Sequence, residues 1–163
     1  MGSLALVGAP VPGEAGRSHI AMLAVDGTGA TVAYRKVYVD TTEADRFTPG
    51  STPAVLDVDG WRLGLAICRD TGIPGHASDT AAMGMDVYVA ATLMSAEERA
   101  LQDERARRIA TDHGVWVAVA SFAGSTGGGY ARAAGCSSIW TSEGVVVSHA
   151  GPETGAIAAA TLS

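Results

Sequence analysis

Residues 61–75 read W-R-L-G-L-A-I-C-R-D-T-G-I-P-G, and the rest of the chain is interpreted around this stretch. Its alternating apolar residues are typical of a half-buried strand, and the Gly and Pro residues that follow indicate a turn. Cys68 lies where the strand gives way to the turn. A cysteine there is either a small core residue or a nucleophile displayed at a strand end. Arg69 and Asp70 follow it directly, so polar surroundings begin at Cys68, which favours the nucleophile.

A second motif lies upstream of this stretch. Residues 34–36 read Y-R-K at the end of an apolar run, and residues 47–50 read F-T-P-G. Together with G-L-A-I-C-R-D at residues 64–70 and I-P-G at residues 73–75, this pattern resembles the nitrilase, or carbon-nitrogen hydrolase, superfamily. The two motifs stand in the order that the family has, which makes the resemblance specific.

The resemblance implies a fold and a reaction. The expected fold is an αββα sandwich of the α/β (α+β) class that forms one domain over residues 1–163, truncated and incomplete at its amino terminus. The expected reaction is hydrolysis of a non-peptide carbon-nitrogen bond in a small amide, carbamoyl or nitrile substrate. In this family a cysteine attacks the substrate carbon, a thioester forms, and water releases the acid.

The family's functional residues can be carried over one by one. Cys68 is the expected nucleophile, and Lys36 is the expected cation that stabilises the thiolate and the tetrahedral intermediate. Arg69 is expected to contribute its backbone N–H to the oxyanion hole. Many relatives also place a supporting glutamate shortly before the Pro-Gly pair; Glu43 is the best match, and Asp45 stays open as an alternative.

The family's general base, a glutamate well before the lysine, has no counterpart in this sequence. Glu14 is the only acid ahead of the first predicted hairpin, and it fits neither the sequence distance nor the context, so it is not assigned. Loss of a general base costs roughly 10²- to 10⁴-fold in rate. The chain is therefore expected to be the carboxyl-terminal part of such a hydrolase with impaired activity.

Three alternatives compete with this interpretation. The first is a catalytically inactive remnant that serves as a binding or oligomerisation module. The second is a Cys-His hydrolase, for which His76 is the histidine nearest to Cys68 in sequence. The third concerns Lys36 alone, because most lysines on strands are simply solvated.

Composition excludes several classes of protein. The 163 residues are 47% hydrophobic and 17% charged, which suits a folded domain. Eleven Lys and Arg against seventeen Asp and Glu give a net charge of -6, which argues against nucleic-acid binding. We expect no membrane segment, no metal or other cofactor, free thiols at Cys68 and Cys136, and a cytoplasmic location.

The hydrophobic pattern predicts a layered structure of strands and two helices. A helix is expected over residues 75–84, and a second one begins at Ser95 with a Ser95/Glu98 capping box and ends at Gly114. Residues 121–135 form a predicted Gly-rich loop. The missing leading strands leave a sheet edge uncovered, so we expect a homo-oligomer or a partner chain there. Strands are predicted over residues 4–9, 18–25, 31–39, 54–58, 61–67, 86–92, 115–120, 136–141, 145–149 and 157–161.

Overall fold

The amino-terminal part of the chain forms an antiparallel sheet of three strands. The structure, a computed structural model, describes residues 2–163. The strands β1 (Ala5–Pro12), β2 (Ser18–Asp26) and β3 (Gly29–Arg35) lie in the order β1-β2-β3. A tight turn that begins at Asp26-Gly27 joins β2 to β3, and Asp26 Oδ1 accepts the Thr28 N–H at 2.7 Å.

A six-stranded mixed sheet and a separate two-stranded pair follow. The strands of the six-stranded sheet are β4 (Val55–Val58), β5 (Trp61–Ile67), β6 (Val87–Thr92), β7 (Trp116–Ser121), β10 (Ser138–Trp140) and β11 (Val146–His149). The pair consists of β8 (Ala123–Gly124) and β9 (Ala133–Ala134). The six-stranded sheet has the order β11-β10-β7-β6-β5-β4, and β8 pairs with β9. Strands β5, β6 and β7 are parallel, so their carboxyl ends meet at one edge, directly before Cys68.

Two α-helices pack on one face of this sheet. Helix α1 spans Pro74–Ala82 and helix α2 spans Arg99–His113. The predicted capping box is present, since the Ser95 N–H donates to Glu98 Oε2 at 3.0 Å. It opens a single 3₁₀ turn, so α2 itself begins at Arg99, four residues later than predicted. Gly114 ends α2 as predicted, in the left-handed conformation at φ 63°.

Strand β5 contributes to two hydrophobic cores because its side chains alternate between the two faces of the sheet. Ala66 packs on the helix side with Tyr88 and Ile109. Leu65 and Ile67 pack on the other side, between the two sheets, with Met22. Strand β5 is thus held from both faces, and the end that presents Cys68 is fixed by packing.

The fold is of the α+β class, with a helical layer and two sheets in contact. Helices cover one side of this arrangement in residues 2–163, and the outer face of the three-stranded sheet carries none. Val7 and Val32 are 45% and 39% exposed on that face. Residues 2–163 thus form one helical layer and both sheet layers of an αββα sandwich.

Three predicted elements differ from the structure. The strand predicted over residues 31–39 ends at Arg35, so Lys36 lies one residue beyond it. The strand predicted over residues 157–161 is wrong: no strand pairs with it, and Ile157 is 84% exposed. The predicted loop over residues 121–135 contains the short strands β8 and β9.

No helix within residues 2–163 combines the length and the apolar character that crossing a membrane requires.

Candidate active site

Cys68 lies at the transition from β5 to a 3₁₀ turn that spans Cys68–Gly72. Its φ of 46° is in the left-handed region, which is uncommon for a residue with a side chain and is found often at functional sites. The thiol is half-buried and its Sγ donates to the Leu93 carbonyl at 3.3 Å. The Thr71 hydroxyl donates to the Cys68 carbonyl at 2.8 Å and braces the turn.

Lys36 is buried, with 2% of its surface exposed, so the interpretation as a solvated strand residue is wrong. Its backbone is held on both sides, because its N–H donates to the Ile20 carbonyl and its carbonyl accepts the Gly50 N–H, each at 2.8 Å. Its Nζ forms an ion pair with Glu43 Oε2 at 2.5 Å. A buried ammonium needs such a carboxylate because burial otherwise disfavours the charged form.

The structure distinguishes between the two acids proposed to support Lys36. Glu43 pairs with Lys36, and the same Oε2 atom accepts the Asp40 N–H at 2.8 Å. The Asp45 side chain is exposed, and only its backbone carbonyl accepts a hydrogen bond, from Arg17. Glu43 is therefore the acid that the fold places beside Lys36.

Arg69 forms an ion pair at the rim of the site. Its Nη1 donates to Asp40 Oδ2 at 2.7 Å. The backbone N–H of Thr42 and the Arg69 guanidinium lower the pKa of Asp40 to about 2. The pair is partly exposed, so its side chains contribute little to stability. Because the guanidinium is engaged with Asp40, the expected contribution of Arg69 to an oxyanion hole is that of its backbone N–H.

Cys68, Lys36 and Glu43 all line one cavity of about 800 Å³. Part of its wall is aromatic, which suits a small substrate with an apolar portion. The Gly-rich loop reaches this cavity through Tyr130, whose pKa is raised by burial and by the neighbouring Cys68. The full lining comprises Ile20, Lys36, Asp40, Thr42, Glu43, Arg46, Phe47, Ile67, Cys68, Arg69, Ala91, Thr92, Leu93, Phe122, Gly128 and Tyr130.

His76 is not placed as a Cys-His hydrolase requires. Its Nε2 lies 2.9 Å from the Tyr34 hydroxyl, and its Nδ1 lies 2.9 Å from the Tyr88 hydroxyl. Both ring nitrogens are thus engaged away from Cys68. Glu14 is exposed and lines a different cavity.

The sequence indicated some of the wall residues and missed others. Phe47 belongs to the F-T-P-G motif and was within reach of sequence reasoning. Phe122 and Tyr130 come from the loop after β7, where no motif marks them. The described residues contain no group of three His, Cys, Asp or Glu side chains arranged to hold a metal ion.

Gly50 fixes the position of Lys36 and supplies a testable prediction. A Cβ at Gly50 would collide with the Arg35 carbonyl, which is backbone and cannot move aside. We expect Gly50→Ala to lower the free energy of unfolding by about 1–3 kcal/mol, measured by urea denaturation. Gly8→Ala is the matched control because a Cβ there meets nothing within 4 Å. Equal losses in the two variants would contradict the prediction.

Comparison with known proteins supplies the context for this geometry. The family model for carbon-nitrogen hydrolases matches residues 2–163. Nit3 of Saccharomyces cerevisiae, a member of branch 10 of the nitrilase superfamily, is 22% identical with a TM-score of 0.81; the match covers 93% of this chain and 56% of Nit3. No curated protein matches the chain.

Two structures of an amidase from Nesterenkonia sp. AN1 are similar as well. The NitN amidase is 23% identical with a TM-score of 0.84, and the match covers 96% of this chain and 62% of the amidase. A mutant of the amidase in complex with butyramide is 24% identical with a TM-score of 0.80, and the match covers 91% of this chain and 57% of the amidase. The chain spans 56–62% of the length of these three structures, and at these identities the likeness establishes the fold.

Proposed function

The chain belongs to the carbon-nitrogen hydrolase family, and on that basis we propose that it hydrolyses small amide, carbamoyl or nitrile substrates through Cys68. The observation that carries the proposal is that Cys68, Lys36 and Glu43 line one cavity. Cys68 follows the end of β5, Lys36 follows the end of β3, and Glu43 lies in the loop after it. Three segments thus bring a thiol, an ammonium and a carboxylate into the same cavity, which is the set of groups that the proposed reaction requires. The expected substrates are neutral small molecules, and we propose no cofactor.

The proposed reaction of an amide begins with attack of the Cys68 thiolate on the carbonyl carbon. An S–C bond forms and the carbonyl electrons move onto oxygen, where the Lys36 ammonium and the Arg69 backbone N–H stabilise the negative charge. The C–N bond then breaks, the nitrogen takes up through solvent the proton that the Cys68 thiol had released, it leaves as ammonia, and a thioester remains on Cys68. Water attacks the thioester, the acid departs, and the thiol is restored.

Glu43 serves in this scheme as the partner of Lys36. Its carboxylate lies 2.5 Å from the ammonium and supplies the opposite charge that a buried cation requires. Within residues 2–163, the carboxylates that line the cavity are Asp40 and Glu43, and each already pairs with a cation. Neither is free to act as the general base, so we propose that the chain turns over slowly.

That same observation favours the second candidate function, an inactive remnant that binds small amides or associates with other chains. The exposed outer face of the three-stranded sheet is where we propose that a second copy or a partner chain packs.

We also propose a reducing compartment, the cytoplasm, because Cys68 and Cys136 are both free thiols. Nucleic acid and membrane are not among the proposed partners.

Amide turnover and covalent trapping together test the proposed function. The chain is incubated with acetamide, propionamide and butyramide, and ammonia release is followed. In parallel it is incubated with fluoroacetamide and the modified peptide is identified by mass spectrometry. We expect slow ammonia release, roughly 10²- to 10⁴-fold below what a complete site would give, and an adduct on Cys68.

The outcomes separate the two candidate functions. An adduct at Cys68 with ammonia release supports the hydrolase. Butyramide binding, measured by calorimetry, without ammonia release or an adduct would favour the binding module and overturn the hydrolase.

A further inference from the structure

A buried hydrogen-bond network lies behind Cys68 and joins the two chain segments that carry Cys68 and Lys36. Its four side chains are Tyr34, Asp70, His76 and Tyr88, and each is at most 2% exposed. None of them is among the described residues that line the cavity. Burial of four polar side chains is costly unless each is hydrogen-bonded, so the network has a structural or positioning role.

Asp70 links the two segments through its two oxygens. Its Oδ2 accepts the Ile67 N–H at 2.9 Å, one residue before Cys68. Its Oδ1 accepts the Tyr38 N–H at 3.0 Å, two residues after Lys36. One carboxylate therefore sets the distance between the backbone that carries the thiol and the backbone that carries the ammonium.

Tyr34 makes the same link a second time. Its hydroxyl donates to Asp70 Oδ2 at 2.8 Å and accepts the Val37 N–H at 3.1 Å. Since a hydroxyl has one proton and it goes to Asp70, His76 Nε2 must donate to Tyr34. His76 Nδ1 is then an acceptor for the Tyr88 hydroxyl.

His76 is neutral in this arrangement, with its proton on Nε2. Burial lowers its pKa, which agrees with this assignment. The chain of hydrogen bonds thus runs from Tyr88 through His76 and Tyr34 to Asp70. The last two members hydrogen-bond to the backbone of the segments that carry Cys68 and Lys36, whereas His76 meets the Lys36 segment through an edge-on ring contact with Tyr38.

We propose that Asp70 and Tyr34 are positioning residues that hold the Cys68 turn and the Lys36 segment at their working separation. The proposal rests on the proposed function, which assigns Cys68 and Lys36 as the reacting pair. Small displacements of reacting groups are costly, and a shift of about 1 Å can lower a rate roughly 10²-fold. Three backbone N–H groups near the site depend on these two side chains, so their loss frees both segments to shift.

The test compares Tyr34→Phe with Tyr88→Phe. Each variant removes one buried hydroxyl that contacts His76, which makes the two chemically matched. Tyr34→Phe also removes the acceptor of the Val37 N–H and the donor to Asp70, whereas within residues 2–163 the Tyr88 hydroxyl hydrogen-bonds to His76 alone. The readout is the rate of Cys68 alkylation by iodoacetamide from pH 6 to 9, assigned by mass spectrometry, on protein shown to be folded by urea denaturation.

We expect Tyr34→Phe to lower the alkylation rate at neutral pH at least about tenfold and Tyr88→Phe to leave it within about twofold. If Tyr34→Phe does not fold, Asp70→Asn takes its place with the same expected loss, because an amide keeps only one of the two acceptor oxygens. Equal alkylation rates in the two compared variants would overturn the positioning role.

Amide turnover by the unmodified chain is measured in parallel. Its absence would overturn the proposed function and not the positioning role, since alkylation requires no turnover.

Discussion

Replacement of Cys68 by alanine should abolish covalent labelling of the site and lower amide hydrolysis by at least about 10³-fold. The chain contains two cysteines, and the other, Cys136, is 1% exposed. Burial raises the pKa of Cys136, which keeps it in the unreactive thiol form. Labelling by fluoroacetamide and ammonia release from small amides should therefore both be lost when Cys68 is replaced. Mass spectrometry of the intact chain and an ammonia assay measure the two effects.

Cys136→Ala is the matched control for this experiment. Both cysteines have left-handed backbones, with φ of 46° and 57°, so alanine meets a similar strain at each position. We expect Cys136→Ala to keep its labelling at Cys68. Hydrolysis that persists in Cys68→Ala and is lost in Cys136→Ala would exclude Cys68 as the nucleophile.

Replacement of Lys36 by alanine should slow alkylation of Cys68 at pH 7 at least about tenfold. The reason is that the thiolate and the tetrahedral oxyanion lose the buried positive charge that shares their cavity. Iodoacetamide alkylation followed across a pH series measures the effect. Lys36→Arg, which keeps the charge but not the compact ammonium, should fall between alanine and the native residue.

Stability has to be measured alongside reactivity in the Lys36 variants. Removal of Lys36 leaves Glu43 without its ion-pair partner, but the Glu43 side chain is 29% exposed and water can solvate it. We therefore expect a loss of about 1–3 kcal/mol in the free energy of unfolding, measured by urea denaturation. A folded Lys36→Ala chain that alkylates at the native rate would contradict the proposed thiolate-ammonium pair.

Most of the fold follows from local patterns in the sequence. Strand β5 at Trp61–Ile67 was predicted at both ends, because its apolar alternation is bounded by the Asp59-Gly60 turn and by Cys68. The end of α2 at Gly114 was predicted because glycine adopts positive φ without strain. The strand expected at residues 157–161 did not form: the segment lies beside the edge strand β11, but its contact there is the Ala159 N–H to the Ser148 side chain and not a backbone ladder.

The candidate site was less accessible from the sequence. The strand-turn pattern indicated Cys68, but nothing local separated Glu43 from Asp45 in the same polar loop. Their difference lies in burial and in the contact that Glu43 makes with Lys36. The hydrogen bonds of Tyr34 to Asp70 and His76 span 36 and 42 residues, so no short pattern could reveal them.

The sequence by itself determined the α+β class, the family, and the position of Cys68 at the end of a buried strand. These properties depend on side-chain alternation and turn residues, which act over a few neighbouring positions. Only the tertiary structure decided that Lys36 is buried against Glu43 and that both share a cavity with Cys68. The same holds for the link that Asp70 makes between the segment that carries Cys68 and the segment that carries Lys36. Such contacts arise when segments distant along the chain are packed together, because packing sets which polar groups lose water and must find partners within the protein.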